Sequence, residues 1–368
     1  MKRLASLCCL SILILAAYAS ADENGGNTKH QVSRAVGPIE IDGAVSESAW
    51  RQALHLELNY EVRPGENVKP PVRTEMLVTF DDTRLLVAFI CHDPDPSKIR
   101  ARYRDRDSAF SDDWVGIAID TFNDERRAYE FLANPLGVQM DMLMDDVNNN
   151  EDDSWNAIWE SAGRITDTGY EVEMAIPFNQ IRFQDTDDPQ TWGFDGIRRY
   201  PREHYYHITL FPRDRGNNSY LSQAVKINGF QGMQRGHDLE ISPTFTAQRT
   251  DARTNFPAGD LEELDSDAEV GLNMRWGITP NMTLNGTLNP DFSQVEADSV
   301  QLDINETFAL FFPETRPFFL DGADYFATPG MTLLHTRQIA DPLGAAKITG
   351  KEGNHTFGVL TAQDDFTT

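Results

Sequence analysis

The sequence predicts an all-β protein: an antiparallel, jelly-roll-like β-sandwich followed by an incomplete up-and-down β-barrel-like region. Three observations predict it. Apolar residues alternate at period two, as in Val115, Ile117 and Ile119, or Tyr170, Val172, Met174 and Ile176. Such runs recur roughly every ten residues between turn-forming clusters, with no long helical period among them. From residue 239 onward the runs lengthen and set an apolar row against a polar one.

The elements follow in order. Lys2 and Arg3 precede an apolar run from Leu4 to Ala17, and Ala19-Ser20-Ala21 forms a cleavage site before Asp22. Residues 1–21 therefore read as a secretory signal peptide, and the polar stretch 22–35 as a flexible lead-in. Ile39 and Ile41 begin a short strand, Asp42-Gly43 turns, and Trp50 between Ala49 and Ala53 plugs a core. Met76, Val78 and Phe80 alternate in one strand and Leu85, Val87, Phe89 and Cys91 in the next, around an Asp81-Asp82-Thr83 turn. Cys91 is the one cysteine beyond the leader, expected as an inert buried thiol. A charged loop leads into the strands of 110–177, and TWGFDGIRRY, HITLFP and AVKINGF close a sandwich spanning 36–230.

The formal net charge is −26 and the isoelectric point about 4.6. Such a surface repels phosphate backbones, which argues against a nucleic-acid partner. It is compatible with neutral sugars and with cations such as calcium.

Residues 231–368 differ in character. Leu239, Ile241 and Phe245 oppose Glu240, Ser242 and Thr244; Val270, Leu272, Met274 and Trp276 oppose Glu269, Asn273 and Arg275; Met282, Leu284 and Leu288 oppose Thr283, Asn285 and Thr287. Segments with an apolar row outward and a polar row inward are the pattern of outer-membrane-type strands, and a soluble sandwich face looks similar. Further on, Phe308, Phe311, Phe312, Phe318 and Phe319 need burial or an interface, and Glu296, Asp298, Glu314 and Arg316 can pair within it.

IDGAVSESAW, FDDTRLLVAFICHDPDP, SDDWVGIAIDTFND and GYEVEMAIPF, in that order, resemble the family 9 carbohydrate-binding modules found at the N-terminus of large envelope proteins of Gram-negative bacteria. The stretch from Asn289-Pro290-Asp291-Phe292 to Phe311-Phe312-Pro313-Glu314 resembles the C-terminal region of the same proteins, a domain of unknown function thought to be an outer-membrane-type β-barrel. The resemblance implies a sandwich that binds a polysaccharide or glycan by aromatic stacking, with structural calcium in some members. It also implies export to the outer membrane or periplasm, a barrel region in contact with outer-membrane lipid, and a place in polysaccharide catabolism. About five or six barrel-like strands fit after 236, whereas a closed single-chain barrel needs at least about eight. The missing strands are thus expected from the rest of a longer chain or from another subunit.

Sugar recognition needs flat apolar faces, for which Trp155, Trp159, Trp114 and Tyr103 are the candidates, with Tyr129 behind them, while Trp192 leans structural. Asp145, Asp146, Asp152 and Asp153, with Asn148 and Asn150, form the densest set of oxygen donors for calcium, outside EF-hand spacing. Asp105, Asp107, Asp112 and Asp113 form a second set. No catalytic residue is assigned. A glycoside hydrolase using acids around 105–113 and 145–153 is one alternative. Glu171 and Glu173 read as ordinary outward-facing residues of a strand. His204 and His207 lack a third ligand at zinc spacing. The other alternative is a sandwich that binds no sugar and serves as a plug or docking domain for the barrel.

Overall fold

The computed structural model describes residues 29–153, 155–184, 186–234, 239–253, 260–279, 281–289, 316–328, 331–332, 336, 339, 342–352 and 355–364. The leader, Phe308, Phe311, Phe312, Glu296, Asp298 and Glu314 lie outside the described residues. The all-β expectation holds. The strands of the first region are β1 (Lys29–Gln31), β2 (Leu54–Glu57), β3 (Tyr60–Arg63), β4 (Thr74–Phe80), β5 (Arg84–His92), β6 (Trp114–Asp120) and β7 (Arg127–Ala133). They continue as β8 (Gln139–Asp145), β9 (Asn150–Asp152), β10 (Glu160–Thr166), β11 (Gly169–Pro177), β12 (Gln190–Pro201), β13 (Tyr205–Thr209) and β14 (Val225–Phe230).

Among the described residues these form two sheets. A nine-stranded sheet runs β1-β14-β12-β6-β7-β8-β9, with β13 on β12 and β3 on β13; a five-stranded sheet runs β10-β11-β5-β4-β2. Alternation explains the packing. Val115, Ile117, Ile119, Phe131 and Phe194 meet Met76, Val78, Phe89, Val172 and Met174 in one core. Burying each such side chain stabilises the fold by roughly 1.5–3 kcal/mol. The β4–β5 hairpin is pinned by Asp81, whose Oδ1 accepts the Thr83 and Arg84 amides at 2.8 and 2.7 Å. Cys91 is buried in that core, and Trp192 is fully enclosed there, stacked on Phe230 at 4.1 Å.

Two expectations need correction. Residues 29–35 are not a lead-in: β1 pairs in parallel with β14, and Val32 is buried in the core. The short polar stretch hid this because the pairing partner lies far along the chain, Lys29 standing opposite Lys226. Glu173 does not face water. Its Oε1 accepts Trp50 Nε1 at 2.8 Å, and its Oε2 accepts the Gly43 and Asp42 amides at 2.9 and 3.1 Å. Glu171 accepts the Val45 amide at 3.1 Å. The two carboxylates clamp the 42–50 loop over the outside of the five-stranded sheet, where Trp50 plugs a second small core with Ile39, Leu77, Leu86 and Ala175. Gly43, at φ +85°, lets this loop lie so close to Gly163 that a Cβ in its place would come within 3.0 Å of the Gly163 backbone.

The second region holds β15 (Leu239–Arg253), β16 (Leu261–Thr279), β17 (Met282–Leu288), β18 (Ala327–Thr328), β19 (Met331–Thr332), β20 (Pro342–Glu352) and β21 (His355–Asp364). Among the described residues β15-β16-β17-β20-β21 form a five-stranded antiparallel sheet. Its register lines Leu239, Trp276, Leu284, Ile348 and Val359 across all five strands. This apolar row lies on the exposed face, as do Phe245, Val270 and Leu288. Thr283, Asn285, Thr287, Lys347 and Thr349 are the buried ones. The sheet is inverted relative to a water-soluble sandwich. A helical turn at Pro317–Leu320 covers its polar side: Lys347 Nζ donates to the Phe318 carbonyl at 2.6 Å and also to that of Asp321. Arg316 donates to the Ile339 and Thr336 carbonyls at 2.7 and 2.9 Å. No helix among the described residues is long and apolar enough to cross a membrane.

Candidate functional site

A cavity of about 520 Å³ opens where the sandwich meets the polar side of the second sheet. Trp155 and Tyr129 supply its aromatic wall, their ring centroids 5.2 Å apart, and Trp155 also rests on Phe131 at 5.8 Å. The opposite wall carries Tyr325, with the Arg182 and Arg127 guanidinium groups 5.0 and 5.5 Å from its ring. Gln180 lines the floor, fixed where its Oε1 accepts the Ile158 amide at 2.9 Å. The cations Arg126, Arg127, Arg182, Arg275 and Lys351 outnumber the acids Asp124 and Asp321. Asp124 is paired with Lys351, and Asp321 with Arg275 at 3.7 Å. The cavity is of the size that holds a small ligand, with a flat apolar wall and planar polar groups around it.

Of the four candidate aromatic residues, the structure brings only Trp155 to this cavity. Trp159 is 5% exposed and packs edge-on against Phe131 at 5.4 Å. Its segment is clamped: buried Asp141 pairs with Arg106 and accepts the Ala157 amide at 2.6 Å, and Gln139 Nε2 holds the Trp159 carbonyl at 2.7 Å. Trp155 and Trp159, four residues apart, do not share a strand face, because residues 155–159 precede β10 and are not a strand. Trp114 is 7% exposed, its Nε1 donating to the Phe110 carbonyl at 3.3 Å, so its ring faces are covered. Tyr103 is exposed but lies outside the cavity.

The calcium expectation is also corrected. Asp145 caps its own turn, accepting the Val147 and Asn148 amides at 3.1 Å each. Asp146 turns to another loop, accepting Ser219 Oγ at 2.6 Å and the Tyr220 amide at 2.9 Å. Asp152 and Asp153 do not join them: among the described residues no three His, Cys, Asp or Glu side chains are grouped to hold a metal. The second acidic set stabilises the loop before β6. Asp112 and Asp113 accept the Arg102 and Arg100 amides at 3.1 and 2.8 Å, Arg202 pairs with Asp113 at 2.9 Å, and Asp107 accepts the Asp141 amide at 3.0 Å. Burial pushes Asp107 and Asp113 above the usual carboxylate range. These acids hold backbone, the common use of Asp in turns.

Sequence reasoning offered Tyr129 only as a subsidiary candidate and missed Gln180, Arg127 and Arg182 as cavity residues. A period-two reading places Tyr129 on a face but not opposite residue 325, and the Arg residues carry no local signal.

The fold and this cavity define a two-part β protein in which a β-sandwich abuts an inverted sheet. Residues 41–198 match the family described as carbohydrate family 9 binding domain-like, and residues 239–356 match a domain of unknown function, DUF5916. Among solved structures, similar chains include a family 9 carbohydrate-binding module from Caldicellulosiruptor kristjanssonii in complex with cellotriose (16% identity, 56% of this chain and 95% of that one, TM-score 0.40). The same organism's module in complex with glucose is similar at 16% identity, covering 55% and 97%, with a TM-score of 0.40. A protein from Bacteroides uniformis ATCC 8492 is similar at 12% identity, covering 55% and 99%, with a TM-score of 0.46. No curated protein matches the chain.

Proposed function

We propose that this chain is a glycan-binding protein of the cell envelope, in which the sandwich recognises a saccharide and the second sheet belongs to an outer-membrane-type barrel. The carrying observation is Trp155, partly exposed beside Tyr129 in a cavity lined by Gln180 and arginine side chains, within a domain that matches a carbohydrate-binding family. An aromatic face takes the apolar face of a sugar ring, and planar amide and guanidinium groups bond its hydroxyls. The exposed apolar row of the second sheet supports the barrel, since lipid is the solvent that such a face fits. Export to a Gram-negative outer membrane, further strands from elsewhere in a longer chain or from a partner, and service to polysaccharide catabolism complete the reading.

The test is calorimetric titration of the detergent-solubilised chain with glucose, cello-oligosaccharides and a wider neutral glycan panel. Trp155→Ala should weaken the best ligand about tenfold, the equivalent of about 1.4 kcal/mol, while Tyr103→Ala leaves it unchanged. Absence of binding across the panel, or equal binding by Trp155→Ala, would overturn the reading.

A second reading, the sandwich as a plug or docking domain, has its own support. Arg182 donates to Thr349 Oγ1 at 3.2 Å and Asp124 pairs with Lys351, so the sandwich touches the polar side that a barrel turns inward.

A further inference from the structure

On the face of the nine-stranded sheet that points away from the sandwich core, the register sets four residues side by side. Trp114 on β6 pairs with Arg199 on β12, Arg199 with His207 on β13, and His207 with Arg63 on β3. Neighbouring strands lie about 4.8 Å apart, so the backbones of the two arginines flank that of His207 at roughly 5 Å on either side along the row. The Arg199 guanidinium lies 4.8 Å over the ring of Tyr205, which is exposed, and Trp114 stands edge-on to His207 with centroids 5.7 Å apart. Arg213 adds a third positive charge to the field at His207.

What is unusual is the lack of acid. The chain carries 58 carboxylates against 32 basic residues, and Arg106, Arg198 and Arg202 all have hydrogen-bonding partners. Arg63 and Arg199 make no ion pair or side-chain hydrogen bond among the described residues, and buried Arg199 Nε has no partner. Glu61, two residues before Arg63, turns its carboxylate to the Gly65 amide at 2.9 Å. Asp195, four residues before Arg199, is held by Tyr220 and the Leu210 amide, about 13 Å along the strand. His207 Nε2 is likewise buried without a partner. Buried polar atoms are ordinarily satisfied, and like charges do not gather unless something offsets them.

We infer that Arg63, His207 and Arg199 form a binding site for an anionic group, the carboxylate of an acidic saccharide, with Tyr205 beside it for the sugar ring. The anion site stands apart from the Trp155 cavity; only the saccharide part of the inference rests on the proposed glycan recognition. Two guanidinium forks supply charge-assisted bonds, and the imidazole closes the third side. Burial, and then Arg199, Arg213 and Arg63, hold the His207 imidazole down to about 3, so it is neutral when no anion is present. A bound carboxylate reverses part of that field, and the imidazole then takes up a proton at a higher pH.

The experiment titrates the full chain with galacturonate oligosaccharides and with galactose oligosaccharides of equal length. With the other cavity disabled by Trp155→Ala, the acidic series should bind and the neutral series should not. Binding should weaken about tenfold for Arg63→Gln and for Arg199→Gln, weaken further as salt rises, and survive Trp155→Ala. By NMR, the His207 ring should protonate at a higher pH with the acidic ligand present than without it. Arg63 is exposed, so Arg63→Gln tests the site without risk to the fold. Equal binding of the two series, or unchanged binding by Arg63→Gln and Arg199→Gln, would overturn the inference. Loss of neutral-sugar binding alone would bear on the Trp155 cavity and not on this site.

Discussion

Glu130 is a carboxyl group on β7 that the fold encloses almost completely. Burial first, then the neighbouring Glu151 and Asp195, push it from an ordinary value of 4.5 up to about 8. Asp195, one strand beyond Ala118 on the same face, is pushed up to about 7, chiefly by burial. Above pH 4.5 the unfolded chain ionises Glu130 while the folded chain keeps its proton, so stability falls as pH rises and the loss is complete near pH 8. Glu130→Gln carries no such titration. Its unfolding free energy, from urea titration, should drop less than that of the wild type between pH 5 and pH 8, the difference being on the order of a few kcal/mol. Parallel loss in the two proteins would show that Glu130 titrates normally. None of this was legible in the sequence, where Glu130 alternates with Tyr129 and Phe131 like any solvent-facing residue. The same blindness applies to Trp155 and Trp159. The two are chemically identical, and the clamp from Arg106 and Asp141 decides which ring is buried. It applies to Arg63, Arg199 and His207 as well, because only cross-strand register brings them into one row.

The strands themselves were far more legible, since a period of two records which side of a sheet each residue takes. Alternation marked β4, β5, β6 and β11 in the sandwich, and β15, β16 and β17 in the second region. It could not say which face is buried. That is settled by structure: Thr283, Asn285 and Thr287 of β17 are buried while Leu288 is exposed. β1 escaped because three residues carry no period. The inverted sheet makes a signed prediction. In an aqueous sandwich, changing exposed Val270 to Lys would be nearly neutral. On a lipid-facing strand it costs about 2–4 kcal/mol near the bilayer midplane. Refolding into phosphatidylcholine vesicles, followed by protease protection, should therefore fail progressively for Val270→Lys. Thr246→Lys, on the opposite face of β15, should insert nearly as well as wild type. Equal insertion of both variants would count against a membrane-facing sheet.

Whether the two regions act as one molecule depends on a small set of contacts across their junction. Lys351 of β20 pairs with Asp124 of the β6–β7 turn, and Arg182 reaches Thr349. Tyr325, from the segment covering the second sheet, lies under Arg127 and Arg182 of the sandwich. The cavity exists only because of this arrangement, since Trp155 comes from one region and Tyr325 and Lys351 from the other. Glycan recognition at Trp155 and plugging of a barrel are therefore not exclusive, because a docked sandwich places its ligand against the polar side of the sheet. The Lys351–Asp124 pair is partly exposed and individually weak, which makes the docked state a fair subject for test. A carbodiimide joins an amine to a carboxylate only when the two touch. Treatment of the full chain should yield a cross-linked peptide pair joining Lys351 to Asp124, absent in Lys351→Arg. Lys226 and Glu125, 3.4 Å apart within the sandwich, provide the internal control. If Lys226–Glu125 couples and Lys351–Asp124 does not, the regions are undocked in solution, and the cavity with its ligand-binding role falls with the contact.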